Sequence, residues 1–196
     1  MNVRGIVLAG GQSSRFGEDK ALARVRGMTL LERAIHHLRE LDLKPAVITN
    51  ASRNYPFLDC PVYCDLIPGK GPLGGLYTAF QIFKGSSLLV LTCDMPSVST
   101  LVSQVLLNEH QKENQMTVFG FGPDRLQPFP GIYQSSLSEV IFEALERNEL
   151  SVQSFLERIP EKKVISAQWD TGIFFNVNKK EDLQDWMARH ASCENS

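Results

Sequence analysis

The chain has 196 residues, of which 43% are hydrophobic and 21% charged, with a formal net charge of -2. This is an ordinary globular mix, long enough to bury a sizeable core without disulfide or metal staples, and one domain over residues 1–190 is expected. The near-neutral charge argues against a polyanion partner such as nucleic acid, and no stretch is long and apolar enough to span a membrane.

The chain opens with a short, β-branched apolar run over residues 3–9 that stops at Gly10-Gly11, the pattern of a buried parallel strand. Residues 29–41 put Leu30, Leu31, Ala34, Ile35, Leu38 and Leu41 on one helical face, and Thr29 with Glu32 forms a capping-box pattern. Strands are expected at 45–50 and 62–64, then a helix over 71–83 that enters through a Gly-Pro turn and stops near Gly85. The continuously apolar run 87–94 is the clearest buried strand and ends in Cys93-Asp94. A helix follows over 97–110 and a strand over 116–121. Residues 126–133, LQPFPGIY, read as an extended piece that its prolines push toward a sheet edge or an irregular strand. Helices are expected at 136–145 (Ser-x-x-Glu start), at 151–158 and at 178–189 with an Asn178/Glu181 cap. Strands are expected at 163–166 and 173–177, and residues 191–196 are expected to fray.

Strands alternate with helices through most of the chain, without internal repeat or linker. That pattern predicts an α/β fold in three layers, a mostly parallel central sheet between two layers of helices. Of the four cysteines, Cys60 and Cys64 stand in a CxxxC pair with no histidine nearby, which argues against zinc and for reduced thiols. The N-terminal run is too short in apolar content for a signal peptide, so a reducing cytoplasm is expected.

In open α/β sheets ligands collect beyond the carboxyl ends of the strands. Gly10-Gly11, Asn50, Asp65, Asp94, Asn176 and Asn178 all fall at such ends. The first loop, LAGGQSSRFGEDKAL, is not an ATPase phosphate loop, because Gly17 is followed by Glu18 and not by lysine. Adjacent Gly10 and Gly11 also rule out the GxGxxG dinucleotide pattern. The loop still carries what phosphate binding needs: glycines that let backbone N–H groups approach an anion, the hydroxyls of Ser13 and Ser14, the Arg15 fork and the mobile charge of Lys20. Asp94, at the end of a buried strand, suits Mg2+ held against phosphate oxygens. Together they suggest an enzyme that uses a magnesium nucleotide.

These residues resemble the molybdenum cofactor guanylyltransferases, within the nucleotidyltransferases of sugar-nucleotide-transferase-like, Rossmann-like fold. The resemblance rests on LAGG with Arg15, Gly17 and Asp19-Lys20, on ITNAS at 48–52, and on Asp65 followed by GKGPLGGL. It continues through LTCDMP at 91–96, QPFPGIY at 127–133 and FFNVNKKEDL at 174–183. It implies transfer of GMP from Mg-GTP to the terminal phosphate of molybdenum-bound molybdopterin, with release of pyrophosphate. It further implies that Leu8, Ala9, Gly10 and Gly11 contact the nucleotide, that Arg15 and Lys20 neutralise its phosphates, and that Asn50 and Asp65 lie near base or ribose. Asp94 corresponds to the Mg2+ ligand, and Asn176 and Asn178 to the pterin side. The implied partners are GTP and molybdopterin, with other cofactor-assembly proteins, and with neither nucleic acid nor membrane; a monomer is expected. A phosphate monoester is largely dianionic at neutral pH and needs no histidine base, so His36, His37, His110 and His190 read as surface or packing residues.

Related cytidylyltransferases tend to carry LAAG in the first loop, whereas this chain has LAGG, the guanylyl form, and Gly74-Gly75 is likewise of guanylyl type. The chain departs from the family at Lys179-Lys180, where Thr-Pro is usual, and at Pro130-Gly131. A transferase that uses CTP or a sugar phosphate, and a non-catalytic nucleotide-binding protein, stay open as alternatives.

Overall fold

The structure is a computed structural model that describes residues 2–10, 16–50, 55–122 and 125–190. Among the described residues nine strands and six helices follow in chain order: β1 (Val3–Leu8), β2 (Arg24–Val25), β3 (Met28–Thr29), α1 (Leu30–Glu40), β4 (Pro45–Thr49), β5 (Val62–Cys64), α2 (Gly71–Ile82) and β6 (Ser87–Thr92). Then come α3 (Thr100–Glu109), β7 (Met116–Gly120), β8 (Leu126–Gln134), α4 (Ser138–Glu146), α5 (Val152–Arg158), β9 (Lys162–Ser166) and α6 (Lys180–His190). The central sheet has seven strands in the order β5-β4-β1-β6-β8-β7-β9. All its pairings are parallel except those of β8, which runs antiparallel to β6 and β7.

Helices cover both faces of the sheet. In a strand, residues an odd number apart point to opposite faces. A Cβ at Gly5 would lie 2.9 Å from Leu38 of α1, while Leu8, three residues on, lies against Gly75 of α2. Helices α1 and α2 therefore sit on opposite sides of β1. Helix α3 packs beside α1, and α4 beside α2. Gly75 permits the close approach of α2, since a Cβ there would lie 3.0 Å from Leu8 Cδ2. Gly74 is buried as well, and a Cβ there would lie 2.9 Å from Lys70 Cβ.

Helix α1 carries the predicted capping box, with Thr29 Oγ1 accepting from Glu32 N and Glu32 accepting from Thr29 N. Its Leu30, Leu31, Ile35 and Leu38 are buried. The β2–β3 hairpin went unread in the sequence. Its turn places Arg26 (φ 50°) and Gly27 (φ 82°) in the left-handed region that a two-residue hairpin requires.

Four expectations are corrected or sharpened. Residues 126–133 do form an irregular strand, but β8 lies inside the sheet, between β6 and β7. The prolines are tolerated because the β7 register shifts between Thr117 and Phe119, and the β6 ladder starts only at Gly131. Residues 173–177 are not a strand. Asp170 accepts from Gly172 N and starts a 3-10 turn over Thr171–Phe174. The last helix is entered through Asp182, whose Oδ2 accepts from Asn178 N and Lys179 N, and not through an Asn178/Glu181 pair. Helix α4 likewise starts at Ser138 after a short 3-10 turn, with no side-chain cap. Residues 191–196 lie outside the described residues, as do Gly11, Ser13, Ser14 and Arg15 of the first loop and 51–52 of the ITNAS stretch.

The main core fills both faces of the sheet. A separate small cluster joins Phe16, Val25, Leu30, Val177, Leu183 and Trp186. It clamps the chain just before Lys20 to the chain just before Asn178, and this positions the site.

Candidate active site

Strands β5, β4, β1 and β6 are mutually parallel, so their carboxyl ends share one rim. That rim carries, in spatial order, Asp65, Asn50, Gly10 and Asp94. Leu8 and Ala9 are buried, with Leu8 O accepting from Cys93 N and Ala9 N donating to Ile48 O. Gly10 is the first exposed residue past β1. A Cβ at Gly10 would stand 2.6 Å from Asn50 Oδ1 and 3.6 Å from Asp65 Oδ2. The bare backbone of Gly10 therefore lets the Asn50 amide and the Asp65 carboxylate converge beside it.

Asp65 Oδ1 is buried without a hydrogen-bond partner, and desolvation pushes the carboxyl up to about 6. Such a carboxylate lacks donors that a ligand can bring. Next along the rim, Lys20 Nζ lies 2.7 Å from Asp94 Oδ2 and 3.3 Å from Asn178 Oδ1. Both charged side chains are mostly buried, at 19% and 18% exposure. Asp94 Oδ1 is buried and unpartnered.

Local structure explains the aim of Lys20. Asp19 caps the short turn Lys20–Leu22 by accepting from Ala21 N, and its other oxygen accepts from Tyr55 Oη at 2.9 Å. From the opposite side, Val177 N donates to Asp94 O at 2.8 Å and brings Asn176 and Asn178 to the rim. Beyond Asp94, on the β8 side, a cavity of about 610 Å3 opens; Asp94, Asn176, Asn178, Gln127, Phe129 and Arg125 are among the residues that line it.

A family model described as MobA-like NTP transferase domain matches residues 5–164. The chain belongs to the MobA-like NTP transferases. It is 31% identical to a probable molybdenum cofactor guanylyltransferase of Flavobacterium johnsoniae over 91% of this chain and 93% of that one. It is 33% identical to another, from Bacillus licheniformis, over 92% and 94%. The fold is similar to that of molybdopterin-guanine dinucleotide biosynthesis protein A from Archaeoglobus fulgidus, with a TM-score of 0.81 at 21% identity over 96% and 98% of the two chains. This MobA-like chain is thus a nucleotidyltransferase.

The rim unites the predicted Gly10, Asn50, Asp65, Lys20, Asp94, Asn176 and Asn178. It adds positions to which the sequence reading gave no role: Asp19 and Tyr55 as supports for Lys20, and Arg125, Gln127 and Gln153 on the cavity wall. Only the antiparallel return of β8 could have signalled the last group. Lys70, the lysine of the glycine-rich GKGP stretch, is tied instead to the end of α4, through Leu145 O and Asn148 Oδ1. Burial pushes the Cys93 thiol up to about 12, which makes it a packing residue and not a nucleophile. His37 and His110 are also buried, bonded to Ser103 and Thr117.

Proposed function

We propose that this MobA-like transferase moves GMP from GTP to the terminal phosphate of molybdenum-bound molybdopterin and releases pyrophosphate. One observation carries the reading: the Lys20–Asp94 pair stands between the rim of Gly10, Asn50 and Asp65 on the β1, β4 and β5 side and a separate cavity on the β8 side. In-line transfer needs this layout, with donor and acceptor on opposite sides of one charged centre.

The rim suits guanine. Asp65 offers a donor-starved carboxylate, and guanine presents two adjacent donors, at N1 and N2. The Asn50 amide beside Gly10 adds a further polar contact. An alanine at position 10, as in the LAAG loops of related cytidylyltransferases, would collide with Asn50. CTP is therefore the disfavoured alternative.

Asp94 fits a magnesium ion. Magnesium commonly uses one or two carboxylates and takes its other ligands from phosphates and water. Asp94 supplies a buried oxygen with no protein partner, and no cluster of three metal-ligating side chains occurs among the described residues. Bound magnesium would draw negative charge from the phosphate oxygens around the α-phosphorus.

Lys20 neutralises Asp94. A triphosphate offers Lys20 a second anionic partner within reach, and Arg15 adds its fork from the first loop. Asn178 holds Lys20 on the side that faces the cavity. The acceptor phosphate, already largely dianionic, attacks the α-phosphorus, and the bond to the β-phosphate oxygen breaks with its electron pair on pyrophosphate. A reducing compartment, the cytoplasm, suits the free thiols of Cys60, Cys64 and Cys93.

Asp94→Asn tests the centre. Turnover is expected to fall by about 100-fold or more, the scale of a lost electrostatic contact to the transition state. Thermal unfolding is expected to stay near wild type. Unchanged turnover would overturn the metal assignment.

A further inference from the structure

Two phosphate dianions repel, so a phosphate acceptor needs a cation on its own side of the centre as well as those on the nucleotide side. The cavity beyond Asp94 is otherwise lined by apolar groups and by the neutral polar side chains of Thr92, Gln127, Gln153, Asn176 and Asn178. Among the described residues that line it, Arg125 is the one cation and Asp94 the one anion.

Arg125 is exposed and makes no ion pair among the described residues, yet it is held in place. Its guanidinium lies over the Phe121 ring, 5.8 Å from the centroid, and its carbonyl accepts from Phe121 N at 2.8 Å. Both contacts fix it at the β7–β8 turn, on the cavity wall. The neighbouring amides cannot do its work. Gln127 donates its amide to Phe129 O, and Gln153 donates to Glu157.

We propose that Arg125 binds the phosphate monoester of the acceptor and sets the preference of this cavity for a phosphorylated acceptor. The guanidinium fork matches two phosphate oxygens at once, which a neutral amide does not. This assignment rests on the transferase reading above and adds to it the residue that recognises the acceptor.

The test is Arg125→Gln against wild type, with molybdopterin as acceptor. Kinetics are expected to show the acceptor KM raised by about 10- to 100-fold, the scale of a charge-assisted hydrogen bond, with the GTP KM within about 2-fold of wild type. Arg125→Lys should recover part of the loss, and thermal unfolding should not move. An unchanged acceptor KM, or equal rises in the acceptor and GTP KM values, would overturn the assignment. Calorimetric titration of molybdopterin into nucleotide-free protein gives a second reading that needs no turnover. Wild type should bind about 10-fold or more tightly than Arg125→Gln, and equal affinities would overturn the assignment. A wild type that binds molybdopterin through Arg125 but transfers no GMP would overturn the proposed function alone.

Discussion

At the scale of single residues, Asp65 and Asp94 each bury a carboxylate oxygen that has no hydrogen-bond partner. Asp65 is the clearer case. Its pKa rises from an ordinary 3.8 to about 6 because burial penalises the carboxylate. Below about 3.8 the folded and unfolded chains are both protonated there, and the stabilising contribution of the proton is fully present. Between about 3.8 and 6 the unfolded chain ionises first, so stability falls as pH rises and levels off above about 6. Asp65→Asn should flatten that dependence in chemical denaturation between pH 4 and 7; identical pH profiles for the two proteins would refute the desolvated carboxylate. Donors on a bound nucleotide favour the ionised form, so GTP affinity of the wild type should weaken as pH falls through about 6.

Gly10→Ala probes the neighbouring contact. The new methyl would meet Asn50 Oδ1 at 2.6 Å, and the flexible amide must swing away. The GTP KM should then rise about 2- to 10-fold, the value of one hydrogen bond, with stability little changed; a GTP KM equal to wild type would remove Asn50 from the nucleotide site. Lys20 and Asp94 were singled out in the sequence because they sit in a glycine loop and at a strand end, where ligands collect; Asn178 was singled out at the end of an expected strand that is a 3-10 turn in the structure. Arg125 was not. It lies in a turn with no diagnostic spacing, and its role depends on a cavity that exists only after β8 returns beside β6.

At the scale of elements, the central parallel strands β1, β4 and β6 were legible because each is a short, largely buried apolar run. Where the reading failed, local chemistry outweighed composition. Residues 173–177 have the apolar density of a strand, but the Asp170 side chain bonds Gly172 N and winds the segment into a 3-10 turn. Prolines in residues 126–133 suggested an edge or an irregular strand, and the second holds: a register shift in β7 leaves room for them inside the sheet. The small cluster of Phe16, Val177 and Trp186 was also hidden, since its members are far apart in sequence. It ties α6 to the first loop, and Trp186 Nε1 donates to Ser97 Oγ at 2.5 Å. Trp186→Ala should cost about 3 kcal/mol or more in urea denaturation, as for other large buried aromatics. It should also lower turnover, because Val177 and Asn178 lose their anchor. A cost below about 1 kcal/mol would show that the cluster does not hold this end of the chain.

At the scale of the whole molecule, the strand order divides the labour. Strands β5, β4 and β1 end in Asp65, Asn50 and Gly10; β6 ends in Asp94; and β8 walls the acceptor cavity. Asp65, Asn50 and Gly10 thus stand on one flank of Asp94 and the cavity on the other. The α/β class and its mostly parallel sheet followed from the alternation of strands and helices, and the division did not, because it depends on which strands become neighbours. The most direct test supplies molybdopterin and magnesium with GTP or CTP and measures pyrophosphate release together with the mass of the nucleotide product. Clear preference for GTP and a product one GMP heavier than the acceptor are expected. Preference for CTP, or pyrophosphate release without a guanine dinucleotide product, would contradict it.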